Sequence, residues 1–146
     1  IPGPCAVITA LSISGQTTGR FCFEGFLSTA KKSRREHLAS LENESRTMIF
    51  YESPYRLVKT LEQFAEFFGP ERGCSVAREI SKKFEEHRRG TLAEVAAWYR
   101  EHEPKGEIVI IVAGAPEKKK ENFIYEIWIR TELPEYAKKA FSALAK

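Results

Sequence analysis

The stretch Glu107-Ile108-Val109-Ile110-Ile111-Val112-Ala113 decides the fold class. It is a short, β-branched run, bounded by Pro104-Lys105-Gly106 before it and Gly114-Ala115-Pro116 after it. A continuous apolar run of this length, closed at both ends by turn residues, predicts a strand buried on both faces. Such a strand needs cover on either side, and the surrounding sequence supplies candidates. A helix is expected upstream from Thr91, with Glu94 three residues on as a capping box and Leu92, Val95, Ala96 and Tyr99 as its core face. Further upstream, Leu57, Val58, Leu61, Phe64, Ala65 and Phe68 recur at helical spacing until Gly69-Pro70. That helix is expected to begin at Pro54, capped by Ser53.

Three more strands are predicted before these helices and between them. Residues 20–26 alternate aromatic side chains, residues 47–51 form a second apolar run, and residues 74–80 a third. Residues 84–90 follow the third too closely for a helical crossover and are expected to pair with it antiparallel. Residues 4–14 are apolar nearly all round, between Pro4 and Gly15, and predict a buried helix. Residues 30–43 read as an exposed charged helix with Leu38 and Leu41 as a thin apolar stripe. About five strands interleaved with four helices give an α/β fold, a mixed sheet flanked by helices. Residues 123–129 are a further strand candidate and 133–144 a further helix candidate.

Composition narrows the class. The 146 residues suffice for one core, and 42% hydrophobic with 29% charged residues is ordinary for a globular chain. No apolar run reaches the roughly 18 residues of a membrane span. Cys5, Cys22 and Cys74 form no CxxC-like pair, and His37, His87 and His102 are scattered, so neither a disulfide framework nor a metal site is expected. A reducing, cytoplasmic compartment fits this cysteine usage. The opening Ile1-Pro2-Gly3-Pro4 has neither an initiator Met nor a basic leader, and reads as the middle of a longer chain. The net charge is +3, with basic residues clustered at Lys31, Lys32, Arg34 and Arg35, at Lys82, Lys83, Arg88 and Arg89, and at residues 118–120. Such clusters either track phosphates or form solvated surface.

No P-loop, GxGxxG or GxSxG pattern is present. Polar residues gather instead at predicted strand ends: Tyr51, Glu52, Ser53 and Arg56 after one strand, and Arg78, Glu79, Ser81, Lys82 and Lys83 after another. Ligand sites of α/β sheets lie beyond the carboxyl ends of strands. A carboxylate beside Arg suits a hydroxyl or ribose, and Arg and Lys suit phosphate, although a structural ion pair would look the same in sequence. The small side chains of residues 3–10 allow a flat ligand close to the backbone, or tight helix packing.

Six segments taken in order resemble one family. They are Ile1-Pro2-Gly3-Pro4-Cys5-Ala6-Val7, Phe21-Cys22-Phe23-Glu24-Gly25-Phe26-Leu27, Ile49-Phe50-Tyr51-Glu52-Ser53-Pro54-Tyr55-Arg56, Ala77-Arg78-Glu79-Ile80-Ser81-Lys82-Lys83-Phe84-Glu85-Glu86, Arg89-Gly90-Thr91-Leu92 and Gly106-Glu107-Ile108-Val109-Ile110-Ile111-Val112. Together they resemble the C-terminal domain of the small-subunit ribosomal RNA methyltransferases of the tetrapyrrole methylase superfamily. The resemblance covers residues 1–116. It leaves residues 117–146 as a C-terminal extension, and the family's N-terminal domain with its glycine-rich cofactor loop has no counterpart here.

The resemblance implies an S-adenosylmethionine-dependent enzyme that methylates the ribose 2′-oxygen of a cytidine in small-subunit ribosomal RNA, working as a homodimer without metal. It implies that Cys5, Ala6, Glu52, Ile80, Glu107 and Ile108 line the cofactor pocket. Glu79 and Glu52 are then the candidates for handling the proton. Arg56, Arg78, Lys82 and Lys83 are the candidates for holding RNA. Tyr55 stands where the family more often has His, so an acid/base role is not carried onto it. Two other readings stay open: half of a methyltransferase acting on a small tetrapyrrole of the precorrin type, and a non-catalytic binding or dimerisation module.

Overall fold

The structure is a computed structural model and describes residues 3–116, so the strand and helix expected at 123–129 and 133–144 lie outside the described residues. The elements run α1 (Ala6–Ile13), β1 (Phe21–Phe26), α2 (Lys31–Ser40), β2 (Thr47–Glu52), a 3-10 turn (Pro54–Arg56), α3 (Leu57–Phe68), β3 (Gly73–Arg78), β4 (Glu86–Thr91), α4 (Leu92–Glu101) and β5 (Ile108–Val112). The five strands form one sheet in the order β1-β2-β5-β3-β4. β1 and β2 are parallel, joined through α2, and the other three pairings are antiparallel. The expected mixed α/β sheet is therefore what the chain forms.

β5 is fully buried and lies in the middle of the sheet, between β2 and β3. Its pleat sends Ile108, Ile110 and Val112 into a large core with α3 and α4, while Val109 and Ile111 join Val7, Ala10 and Leu11 of α1. Each such side chain gains about 1.5–3 kcal/mol from leaving water. α4 starts with the expected capping box, Thr91 Oγ1 accepting from Glu94 N and Glu94 Oε2 accepting from Thr91 N.

Three expectations change. α1 is not buried all round: Val7, Ala10 and Leu11 pack on the sheet, whereas Cys5 and Ala6 are exposed and Ile8 is 51% exposed. A single helix on this face has a sheet beneath it and nothing above it among the described residues. Ser53 makes no capping bond, and a 3-10 turn precedes the α-helix, which begins at Leu57. The Ser53 N–H is held instead by the Glu52 carboxylate at 2.8 Å. Finally, the basic clusters are in part internal. Arg34 is 8% exposed, Arg88 lies over the Trp98 ring at 3.9 Å, and Arg89 Nε donates to the Ile13 carbonyl at 2.8 Å, closing the end of α1.

Candidate functional site

β1, β2 and β3 end at one edge of the sheet, and antiparallel β5 begins there. The first turn of α1 reaches the same edge and has no side-chain cap at Cys5. Between them lies a cavity of about 660 Å³, within the range of pockets that take small molecules. Pro4, Cys5, Ala6 and Thr9 form one wall, and Phe26 and Tyr51 an aromatic one. Glu52, Ser53 and Pro54 close the β2 end, Ile80 and Ser81 come from the β3–β4 loop, and Gly106, Glu107, Ile108 and Val109 enter with β5. Cys5, Ala6, Glu52, Ile80, Glu107 and Ile108, singled out in the sequence, thus share one cavity.

The aromatic wall depends on a bulge. The β1–β2 register shifts between Phe23 and Gly25, where Gly25 adopts φ +67°. The extra residue returns Phe26 to the face of Phe23, so both rings meet Tyr51, at 5.6 and 5.0 Å between centroids. Sequence reading places Tyr51 among the polar residues at a strand end but does not single out Phe26 for the site. A glycine inside an alternating aromatic strand is the signal for Phe26, because it marks a bulge.

Glu52 is 3% exposed and heavily engaged. Oε1 accepts from Ser53 N at 2.8 Å and pairs with Arg56 Nη2 at 2.8 Å. Oε2 accepts from Thr60 Oγ1 at 2.8 Å and faces Arg34 Nη1 at 3.8 Å. Arg34 is held in turn by Gln63 and Thr60, at 2.6 and 2.7 Å. The carboxylate is thus buried with its charge compensated, as a buried anion must be. It fixes the turn that carries Arg56.

Glu79 takes φ +52° and Ser81 φ +62°, costly for residues with a side chain. The loop is braced against that cost. Glu79 N donates to Glu107 O, and Glu79 Oε1 accepts from Glu107 N, both at 2.9 Å. Lys82 Nζ bridges Glu79 Oε1 at 3.0 Å and Glu107 Oε2 at 3.1 Å. The Glu107 N–H and then the Lys82 ammonium hold the Glu79 carboxyl below the usual carboxylate range. Gly106 at φ +87° leaves room for that carboxylate, which a Cβ there would strike.

Arg78 does not join the cavity, and Arg56, Glu79, Lys82 and Lys83 are beside lining residues without lining it themselves. Arg78 has the parity of Cys74 and Val76, whose side chains enter the core with α4. There it donates to Lys105 O at 3.2 Å and pairs with Glu86 at 3.6 Å. Of the four residues proposed to hold RNA, Arg56, Arg78 and Lys82 thus have acidic partners, and Lys83 has none among the described residues. No group of three or more His, Cys, Asp or Glu suited to a metal occurs among the described residues.

A mixed sheet with a cavity at its strand ends and α1 laid beside it has clear relatives. The chain belongs to the tetrapyrrole (corrin/porphyrin) methylase family, which it matches over residues 1–96. It is 47% identical over 126 residues to ribosomal RNA small subunit methyltransferase I of Synechocystis sp., covering 86% of this chain and 45% of that protein. The same-named protein of Escherichia coli O157:H7 is 47% identical over 116 residues, covering 78% and 41%. The chain therefore spans less than half the length of these curated relatives. Among solved structures, cobalt precorrin-4 methyltransferase shares the fold with TM-score 0.59 and 14% identity, over 77% of this chain and 50% of that one. Uroporphyrin-III C-methyl transferase from Thermus thermophilus, complexed with S-adenyl homocysteine, does so at TM-score 0.50 and 17% identity, over 76% and 50%.

Proposed function

We propose that residues 1–116 are the C-terminal domain of an S-adenosylmethionine-dependent methyltransferase acting on a ribose 2′-oxygen, that of a cytidine, in small-subunit ribosomal RNA. The observation that carries this reading is the convergence of six residues from four separate segments on one cavity at the strand ends, in a chain whose curated relatives are ribosomal RNA methyltransferases. Residues 117–146 would be an extension of this domain. The other half of the cofactor site would come from an N-terminal domain, and the whole enzyme would be a cytoplasmic homodimer.

The cavity suits the cofactor. Its volume admits a nucleoside-sized ligand. Cys5 and Ala6 have small side chains that permit close approach, and the uncapped first turn of α1 offers N–H donors to a carboxylate. Phe26 and Tyr51 supply an apolar wall for a ring. S-adenosylmethionine, when bound, supplies the methyl group carried on its sulfonium.

The chain's own residues orient the acceptor. Glu52 anchors Arg56 beside the cavity end, and Lys83, without an acidic partner among the described residues, presents its ammonium for phosphate. A ribose hydroxyl must lose its proton as the new C–O bond forms. Glu79 is the better candidate within this domain, because its Oε2 has no hydrogen-bond partner among the described residues while both oxygens of Glu52 are engaged. Alignment of donor and acceptor would supply much of the remaining acceleration.

The test is methyl transfer by the full-length protein from labelled S-adenosylmethionine to small ribosomal subunits lacking the modification. Label on a cytidine 2′-oxygen, reduced by Glu79→Ala, is the expected result. Label unaffected by that change would move proton handling to the other domain. Label only on a tetrapyrrole would overturn the RNA reading.

A further inference from the structure

Resting on that reading, we infer that Tyr55 and Phe84 are base-stacking platforms on either side of the cavity mouth, gripping unpaired bases that flank the target nucleotide. Tyr55 is 93% exposed and Phe84 64% exposed, which leaves ring surface open to stacking. Each belongs to a segment that also lines the cavity: Tyr55 follows Ser53 and Pro54, and Phe84 closely follows Ile80 and Ser81. With β5 between β2 and β3, the two segments that carry these rings leave the sheet on either side of β5.

Both are held by rigid backbone. Tyr55 is the middle residue of a 3-10 turn pinned through Arg56 and the Ser53 N–H to buried Glu52. Phe84 caps a loop that keeps two left-handed residues, Glu79 and Ser81, braced by the Glu79–Glu107 bonds and by the Ser81 N–H on the Glu85 carboxylate. Backbone strain of this kind persists where surrounding contacts over-determine it. Lys83 places its ammonium 5.5 Å from the Phe84 centroid, while Arg56, next to Tyr55 in the chain, is paired with buried Glu52. Exposed aromatics interleaved with cations beside a cleft are the chemistry of single-stranded nucleic-acid binding, where bases stack and phosphates pair. A protein partner would instead favour one contiguous apolar patch, whereas these rings belong to segments separated by β5.

The test measures binding of the full-length protein to a fluorescein-labelled single-stranded oligoribonucleotide and to its duplex form, alongside calorimetry with S-adenosylhomocysteine. Tyr55→Ala and Phe84→Ala are each expected to weaken single-strand binding about tenfold. Tyr55→Phe and Phe84→Tyr should keep it, and Phe84→Leu, apolar but without a ring face, should lose it. Duplex and S-adenosylhomocysteine binding should not move. Lys83→Ala should lower the salt slope of single-strand binding by about one. Single-strand binding unchanged by both alanine variants would overturn this inference while leaving the RNA substrate intact. A Tyr55→Ala or Phe84→Ala loss confined to S-adenosylhomocysteine would assign the rings to the cofactor and overturn it also. A wild-type protein without affinity for RNA would overturn the substrate reading, and this inference with it.

Discussion

Arg34 on α2 and Glu52 at the end of β2 meet inside the protein, with Nη1 3.8 Å from Oε2 and both side chains almost wholly removed from water. Their contact ties an otherwise polar helix to the strand end that lines the cavity. Arg34→Met would leave Glu52 buried with Arg56 and Thr60 as its remaining side-chain partners. The expected loss is about 3 kcal/mol, at the low end for breaking a buried pair because those partners stay. Urea denaturation measures it. A loss within the few tenths typical of exposed pairs would mean that the pair is not buried in solution.

Gly106 and Glu79 form a second dependence. Gly106→Ala places a methyl where the Glu79 carboxylate lies and asks an L-residue to hold φ +87°. At least about 1 kcal/mol of stability is expected to be lost from the backbone alone. Displacing Glu79 would also release the loop carrying Ile80, so S-adenosylhomocysteine affinity should fall in calorimetry. Full stability and full affinity in this variant would contradict the described turn.

Glu44 gives a pH signature. Hydrogen bonds from the Arg46 side chain, and next from its backbone N–H, hold the Glu44 carboxyl at about 2 instead of 4.5. Because the folded pKa is depressed, its stabilisation is fully present above the ordinary value and is lost as pH falls toward 2. Wild type and Glu44→Gln, compared by urea denaturation from neutral pH down to about 2, should differ by a constant amount above about pH 5. That difference should then close. A gap that persists at pH 2 would show that the side chain acts through something other than its charge.

The three thiols should differ sharply toward a thiol reagent. Cys5 is exposed on the cavity wall and should label fast. Burial is the leading cause raising the Cys22 thiol to about 12 and pushing Cys74 up as well, so both should label slowly. S-adenosylhomocysteine, added to the full-length protein, should slow the labelling of Cys5. Mass spectrometry of the labelled peptides reads both results, and unprotected Cys5 would argue against the proposed cofactor position.

Much of the fold could be read locally. The β5 run and the Thr91–Glu94 box are short-range signals whose physics is complete within a few residues, namely burial on both faces and reciprocal capping. Arg34 could not be read in this way. Within Lys31-Lys32-Ser33-Arg34-Arg35 it looks like its neighbours, and only the approach of Glu52, Thr60 and Gln63 from two other elements makes it internal.

Arg78 lies between these cases. Its strand was expected, and its alternation with Val76 already implied the face opposite Ala77. Which of those faces holds the cavity depended on where α1 settled.

The sequence by itself therefore determined most of the described elements and the mixed α/β class, and it singled out six of the residues that line the cavity, since periodicity, capping and ordered motifs are written along the chain. Tertiary structure alone decided the strand order, with the late strand β5 inserted between β2 and β3. It also decided which charges are neutralised in the interior and which rings are exposed among the described residues. Those outcomes depend on contacts between residues far apart in the chain, and no local propensity encodes them.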